Sequence, residues 1–364
     1  MSYKITLIPG DGIGPEVTEA TQLCLDALEL NIDWDIKPAG ECALKKHGAL
    51  LPDETLDSIR KNRIALKGPI STPIGTGFRS VNVELRKRLD LFCCLRPTKY
   101  MGAINSITKN SDIIVFRENT EDLYAGVEFD IGDNTVSYLK NLAEKNGIKG
   151  VIREDSAISI KTISEYASRR IIKFAFDYAL ANNRKKVTCV HKANILKYTD
   201  GLFLRVFKEV AQNYQSKIEA NDYIVDNLSM QLVLRPENFD ILVLPNLYGD
   251  IISDLCSGLV GGLGIAAGAN IGDNMAVFEP VHGSAPKYAG LNKVNPTATI
   301  LSAVLMLHYI KEHKAADLLE QSVKEIITEG VNVTYDLMPK QFKDNGVSTI
   351  DMAKAICNRI KEKK

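Results

Sequence analysis

Short apolar runs bounded by Gly, Pro, Asn or Asp alternate along this chain with stretches of helical period, and that alternation commits it to an α/β architecture. Residues 4–8, 63–67, 113–117, 187–191 and 239–244 read as strands; residues 163–181, 201–213, 298–311 and 315–329 read as helices. After the first strand, Val17, Ala20, Cys24, Leu25 and Leu28 recur at helical spacing, and Pro15 suits a first helical turn. Residues 127–160 break the rhythm. They are polar and Gly-bearing, then β-branched through Ala157-Ile158-Ser159-Ile160, which predicts an inserted arm outside the main sheet. With 364 residues, 45% of them hydrophobic, the chain can form two to three units, or two lobes threaded by one chain. No repeat or low-complexity linker separates such lobes, so they are expected to be interleaved.

Lysine plus arginine balances aspartate plus glutamate at 45 each, which argues against general polyanion binding, nucleic acid included. No apolar run approaches membrane-spanning length, and no signal peptide precedes the first strand. Seven scattered cysteines without a Cys-x-x-Cys pair read as reduced thiols, and five dispersed histidines do not make a zinc site. A cytoplasmic protein is expected, with the mitochondrial matrix as the alternative if a presequence has been removed.

The chemistry concentrates in a few segments. The strand at 239–244 runs through Pro245 into Asn246-Leu247-Tyr248-Gly249-Asp250-Ile251-Ile252-Ser253-Asp254. On a helix, Asp250 and Asp254 lie on one face, one turn apart. Such a pair suits Mg²⁺ or Mn²⁺, and equally a solvated or capping role. Gly10-Asp11-Gly12-Ile13-Gly14 is one residue short of the Gly-x-Gly-x-x-Gly fingerprint, which favours a tight strand-to-helix turn over direct phosphate contact. Arg86, Arg96 and Arg117 stand in mixed or apolar settings. Guanidinium groups at the ligand edge of a sheet bind carboxylates bidentately, so three imply a polycarboxylate; ordinary surface ion pairs are the alternative. Ser80 and Asn82 sit beside Arg86 whether the segment is extended or helical. Lys192 ends a strand and Tyr124 follows an acidic turn; either can move a proton if its neighbours tune it. The loop Glu279-Pro280-Val281-His282-Gly283-Ser284-Ala285-Pro286-Lys287-Tyr288 leads to Asn295-Pro296, an expected cap and first residue of the next helix. Its lysine and tyrosine suit a nucleotide phosphate, although such loops are often only structural turns.

In this order, these motifs resemble the β-decarboxylating dehydrogenases that act on isocitrate, isopropylmalate and homoisocitrate. The resemblance runs from Ile8-Pro9-Gly10-Asp11-Gly12-Ile13-Gly14-Pro15 to Val333-Thr334-Tyr335-Asp336. It implies an isopropylmalate dehydrogenase-like fold, not a Rossmann fold, with interleaved large and small α/β domains. Residues 1–91 and 261–364 would form the large domain, 92–121 and 165–260 the small one, and 122–164 a clasp at a dimer interface. The segment Arg79-Ser80-Val81-Asn82-Val83-Glu84-Leu85-Arg86 is similar to that of the isocitrate enzymes, so isocitrate is the expected substrate. The family pattern assigns its binding to Thr72, Ser80, Asn82, Arg86, Arg96 and Arg117, and catalysis to Tyr124 and Lys192. It assigns Mg²⁺ or Mn²⁺ to Asp226, Asp250 and Asp254, with Lys192 and Asp226 crossing from the neighbouring subunit of a homodimer, or of a higher oligomer. His282, Gly283, Lys287, Tyr288, Asn295, Arg235 and Tyr335 fall at cofactor positions. Lys287 and Tyr288 resemble the NADP pattern, while Pro339 stands where that pattern has an arginine and Lys340 is the expected substitute; NAD remains the alternative cofactor. The rival readings are a homoisocitrate or 3-isopropylmalate dehydrogenase, and a non-catalytic regulatory subunit of a hetero-oligomeric isocitrate dehydrogenase.

Overall fold

The strand–helix alternation is realised in a computed structural model that describes residues 2–71, 80–103, 106–109 and 111–364. β1 (Ser2–Ile8) turns through Gly10 and Gly12, both at positive φ, into α1 (Gly14–Asp26). That turn is structural: the Asp11 carboxylate accepts the backbone N–H groups of Glu41, Cys42 and Ser71 at 2.9–3.0 Å. Gly12 also lies so close to the Ser284 carbonyl that a Cβ would meet it at 2.0 Å. The glycine loop therefore docks against the loop at 282–284.

Next come β2 (Asn31–Ile36), α2 (Glu41–His47), α3 (Asp53–Asn62), β3 (Ile64–Lys67) and α4 (Val81–Arg88). β4 (Cys93–Lys99) and β5 (Asp112–Glu118) precede a small antiparallel pair, β6 (Glu128–Phe129) and β7 (Ile158–Ser159). Between those two strands lies α5 (Asn134–Lys145), capped by Asp133, whose side chain accepts the Thr135 N–H at 2.7 Å. The arm expected at 127–160 thus stands outside the main sheet, and it carries a helix that the sequence pattern did not predict. The chain continues with α6 (Glu165–Ala181), β8 (Lys186–His191), α7 (Thr199–Ala211), β9 (Glu219–Ile224), α8 (Val225–Leu234), β10 (Ile241–Leu244) and α9 (Asn246–Val260). β11 (Ala267–Ile271), β12 (Ala276–Pro280), α10 (Thr297–Tyr309), α11 (His313–Glu329) and α12 (Thr349–Lys363) complete it.

The ten strands of the main sheet run in the order β2-β1-β3-β12-β11-β4-β5-β10-β8-β9. The outer strands pair in parallel, as β2-β1-β3-β12 on one side and β5-β10-β8-β9 on the other. Three antiparallel pairings, β12-β11, β11-β4 and β4-β5, join them. This mixed sheet is not a Rossmann topology. Its strands are apolar runs because helices cover both faces, and strands such as Ile241–Leu244 are completely buried.

The antiparallel centre makes one face polar. Its register sets Arg117 opposite Cys94, Cys94 opposite Asn270, and Gly268 opposite Glu279. Side chains alternate between faces along a strand, so Cys94, Arg96, Arg117, Asn270 and Glu279 all project to the same side. Arg96 and Arg117 therefore rise from the face of central strands. The strands carrying them pair with each other in antiparallel register.

α9 packs across this face with Gly249 directly over Arg117. A Cβ at Gly249 would lie 2.6 Å from both Cβ and Cγ of that arginine. Alanine is the better helix former, yet Gly249→Ala is expected to lower stability by about 1–3 kcal/mol through overpacking. Urea denaturation checks this, and a gain in stability contradicts the packing.

Candidate active site

Arg86, Arg96 and Arg117 converge on one cleft of about 290 Å³, together with Ser80, Asn82, Tyr124, Asp250, His282 and Gly283. Asn82 and Arg86 sit one turn apart on α4, so the helical alternative for that segment is the one realised. Among the described residues, the buried atoms Asn82 Oδ1, Arg86 Nε and His282 Nε2 have no hydrogen-bond partner. Unpaired polar atoms are costly in a buried site unless a ligand completes them.

Arg117 is the centre of the cluster and is 1% exposed. Its Nε donates to Asn246 Oδ1 at 2.9 Å, and its terminal nitrogen donates to Asp250. Its guanidinium lies 4.8 Å from the centre of the Tyr124 ring. The Tyr124 hydroxyl donates to the other oxygen of Asp250. Arg96 donates to Ser253 Oγ at 2.6 Å and approaches Asp250 at 3.2 Å and Asp254 at 3.5 Å. Asp254, half-exposed, stands beside the cleft, one turn beyond Asp250 on α9.

These contacts tune the acids. Burial alone would raise Asp250, but Arg117 and Arg96 outweigh it and hold the carboxyl below its ordinary value. Asp254 is raised by burial and by Asp250, with Arg96 opposing. Tyr124 is raised by burial and by its hydrogen bond to Asp250, so at neutral pH it carries its proton. Two close carboxylates, one of them raised, fit a site built for a hard divalent cation.

Several residues of the site carried no sequence signal of their role. Glu279 is buried between Lys67, at 2.5 Å, and Arg86, at 3.0 Å, and also accepts from Asn270 at 2.6 Å. It is the penultimate residue of β12, three before His282, and that position was the available hint. Behind the cleft, Lys161 bridges two fully buried carboxylates, Asp200 at 2.8 Å and Asp122 at 3.7 Å. Asp122 also accepts the Leu247 N–H at 2.9 Å in the first turn of α9, and Asp200 accepts the Lys192 N–H at 2.7 Å. This charge cluster ties together the segments that carry Tyr124, Asp250 and Lys192.

Beside the cleft, Pro286–Tyr288 forms a 3₁₀ turn. Lys287 Nζ lies 5.0 Å from the centre of the Tyr288 ring, which stacks on Tyr335 at 6.4 Å. Asn295 donates to Asp336 at 3.0 Å and accepts the Thr297 N–H at 3.0 Å. It anchors α10 as expected, although the helix begins at Thr297 and not at Pro296. Burial lowers His282, which is neutral at pH 7. A lysine, two stacked tyrosines and the unpaired His282 nitrogen suit an adenine dinucleotide phosphate.

Lys192, Asp226 and Arg235 do not line the cleft. Lys192 Nζ instead meets Asp226, in the first turn of α8, at 2.6 Å, and Arg235, just past the end of that helix, is exposed. Among the described residues, no three His, Cys, Asp or Glu side chains of one chain converge as a metal site. Thr72 lies outside the described residues, as does Arg79. No described helix is long and apolar enough to cross a membrane.

Residues 4–356 match the family model described as isocitrate/isopropylmalate dehydrogenase. The chain is 43% identical to the isocitrate dehydrogenase [NADP] of Archaeoglobus fulgidus, over 98% of this chain and 92% of that protein. It is 46% identical to a mitochondrial regulatory subunit of the isocitrate dehydrogenase [NAD] of Dictyostelium discoideum, over 92% of this chain and 87% of that protein. The crystal structure of isocitrate dehydrogenase from Methylococcus capsulatus superposes with a TM-score of 0.88 at 47% identity, covering 98% of this chain and 99% of the other.

Lys67 and Arg86 overcome the burial of Glu279 and hold its carboxyl far below the ordinary range. Its stabilising contribution is therefore complete above the unfolded carboxylate value of about 4.3 and is lost as pH falls below it. Glu279→Gln leaves two buried cations without their partner and is expected to cost about 3–5 kcal/mol at neutral pH. Urea titrations of both proteins check this: the gap must narrow when the titrations are repeated at about pH 4.

Proposed function

This chain belongs to the isocitrate/isopropylmalate dehydrogenase family, and from that premise we propose that it oxidatively decarboxylates isocitrate to 2-oxoglutarate, using a divalent cation and, by preference, NADP. The observation that carries the reading is the convergence of three buried arginines with Tyr124 and Asp250 on one cleft. Its described lining holds Lys67, Arg86, Arg96 and Arg117 against Asp250 and Glu279, a positive excess that suits a tricarboxylate. Arg96 and Arg117 grip Asp250 in the free protein, and they exchange that partner for substrate carboxylates. Ser80 and Asn82 orient the third carboxylate from α4.

Asp250 and Asp254, with Asp226 of a second copy, would hold Mg²⁺ or Mn²⁺, which would supply Lewis acidity at the C2 hydroxyl. When bound, NADP would supply the hydride acceptor for C2. Loss of CO₂ from the β-keto acid then leaves C3 in need of a proton. Tyr124 supplies it, because its raised pKa keeps the phenol protonated until that step. Lys192 of the second copy supports that transfer.

A homodimer would bring the Lys192–Asp226 pair, which lies outside a chain's own cleft, to the cleft of a second copy. It is supported by exposed apolar residues on α8 and α9: Met230, Val233, Leu234 and Ile251. The arm at 122–164 adds Ile131, Tyr138 and Val151. We read residues 1–91 with 261–364, and 92–121 with 165–260, as the two lobes. The second reading is a regulatory role, favoured by the name of the Dictyostelium relative. Tyr124 on Asp250 beside Arg117 favours catalysis, because a ligand sensor needs no proton donor there.

Initial rates test the reading. Isocitrate with Mg²⁺ is expected to turn over faster than homoisocitrate or 3-isopropylmalate, and with higher kcat/KM for NADP than for NAD. Faster turnover of another acid ends the substrate assignment, and absence of turnover with either cofactor favours the regulatory reading. Asp254→Asn is expected to weaken Mn²⁺ binding at least about tenfold with the fold intact. Electron paramagnetic resonance titration with Mn²⁺ reads this; an unchanged dissociation constant removes Asp254 from the metal site.

A further inference from the structure

The stacked tyrosine pair, Tyr288 and Tyr335, has a second lysine. Lys293 Nζ lies 5.1 Å from the centre of the Tyr335 ring, as Lys287 Nζ lies 5.0 Å from that of Tyr288. The two rings stack at 30°, so each ring of the stack carries its own ammonium group.

The backbone around Lys293 is held from two helices. The Glu16 carboxylate on α1 accepts the N–H groups of Gly290 and, at 3.0 Å, of Asn292. From the start of α12, Thr349 N–H donates to the Asn292 carbonyl at 3.0 Å and Ile350 N–H to its side chain at 3.1 Å. On the other side of Lys293, the Val294 carbonyl accepts Thr349 Oγ1 at 2.6 Å, and the Val294 side chain packs with Ile13, Val17 and Tyr288. A side chain on so fixed a loop loses little further freedom when it binds a ligand.

The segment after Tyr335 offers no such cation. Pro339 cannot supply charge, and its extended backbone leads into a 3₁₀ turn, Lys340–Asn345. Lys340 is exposed at the start of that turn. Lys293 stands over the Tyr335 ring instead.

We propose that Lys293 is a specificity-determining residue: with Lys287 it binds the 2′-phosphate of an adenine dinucleotide, filling the role expected of an arginine at position 339. The assignment rests on the NADP reading above. An ammonium held against an aromatic face keeps its charge while one side stays open to a phosphate oxygen. Tyr335 and Tyr288 then form the apolar wall between two cations, and discrimination against NAD comes from the positive charge that NAD leaves unmatched.

The test is calorimetric titration of the intact protein with 2′,5′-ADP and with 5′-AMP, which separates phosphate recognition from turnover. The unmodified protein is expected to bind 2′,5′-ADP more tightly. Lys293→Met is expected to weaken 2′,5′-ADP about tenfold and to leave 5′-AMP unchanged, with Lys293→Arg retaining the preference. Lys340→Met is expected to change neither. Circular dichroism melts confirm that each variant folds. If the unmodified protein does not distinguish the two ligands, the NADP reading fails and this assignment with it. If it does distinguish them but Lys293→Met binds 2′,5′-ADP normally, or Lys340→Met is the variant that weakens it, the Lys293 assignment alone is overturned.

Discussion

The site is organised around one buried cation. Arg117 leaves the face of β5 at the centre of the sheet and reaches Asn246 and Asp250 in the first turns of α9, with Tyr124 against its guanidinium. A charge so deeply buried is tolerated only with partners in place, and those partners include Asp250, with Tyr124 against the same guanidinium. Gly249 allows α9 to approach closely enough for them to meet. From Asp122, bonded to α9, the Tyr124 turn receives a fixed position over the same carboxylate.

The sheet explains why there is a cleft at all. Two parallel wings joined by antiparallel strands place the central face between helices of both halves of the chain. Residues from β3, β4, β5, β11 and β12 meet there because register, and not proximity in sequence, decides which side chains share a face. The cleft is charged but internally paired: Glu279 holds Lys67 and Arg86, while Asp250 holds Arg96 and Arg117. On the proposed reading, binding an anionic substrate beside a cation is an exchange of ionic partners. Such an exchange avoids leaving bare charges in a low-dielectric pocket at any stage.

Lys192 and Asp226 follow the same logic outside the cleft. They pair with each other near the ends of β8 and β9, where Asp200 and the Lys161 bridge fix the lysine's backbone. The bridge also touches Asp122, so the residues of a chain's own cleft and the pair it presents elsewhere share one rigid support. On the two-copy reading, that support connects neighbouring clefts.

Much of this was legible in the sequence. The strand and helix runs, the separate arm, and the Asp250–Asp254 spacing follow from side-chain period and local backbone preference, which act over a few residues. The arginines, Tyr124, Asn82 and the 282–288 loop announced themselves by residue type and position. The helix within the arm escaped because the polar, Gly-bearing stretch around it outweighed the helical spacing of Val136, Leu139, Leu142 and Ala143. Glu279 escaped because a glutamate at a strand end looks like any other until its two cations are known. Which strands share a face with Arg96 and Arg117 escaped because antiparallel pairing at the sheet's centre joins strands that connect to distant parts of the chain. The sequence by itself determined the elements and most of the reactive groups; tertiary structure alone decided which of those groups meet, because strand register and the burial of unlike charges are long-range properties.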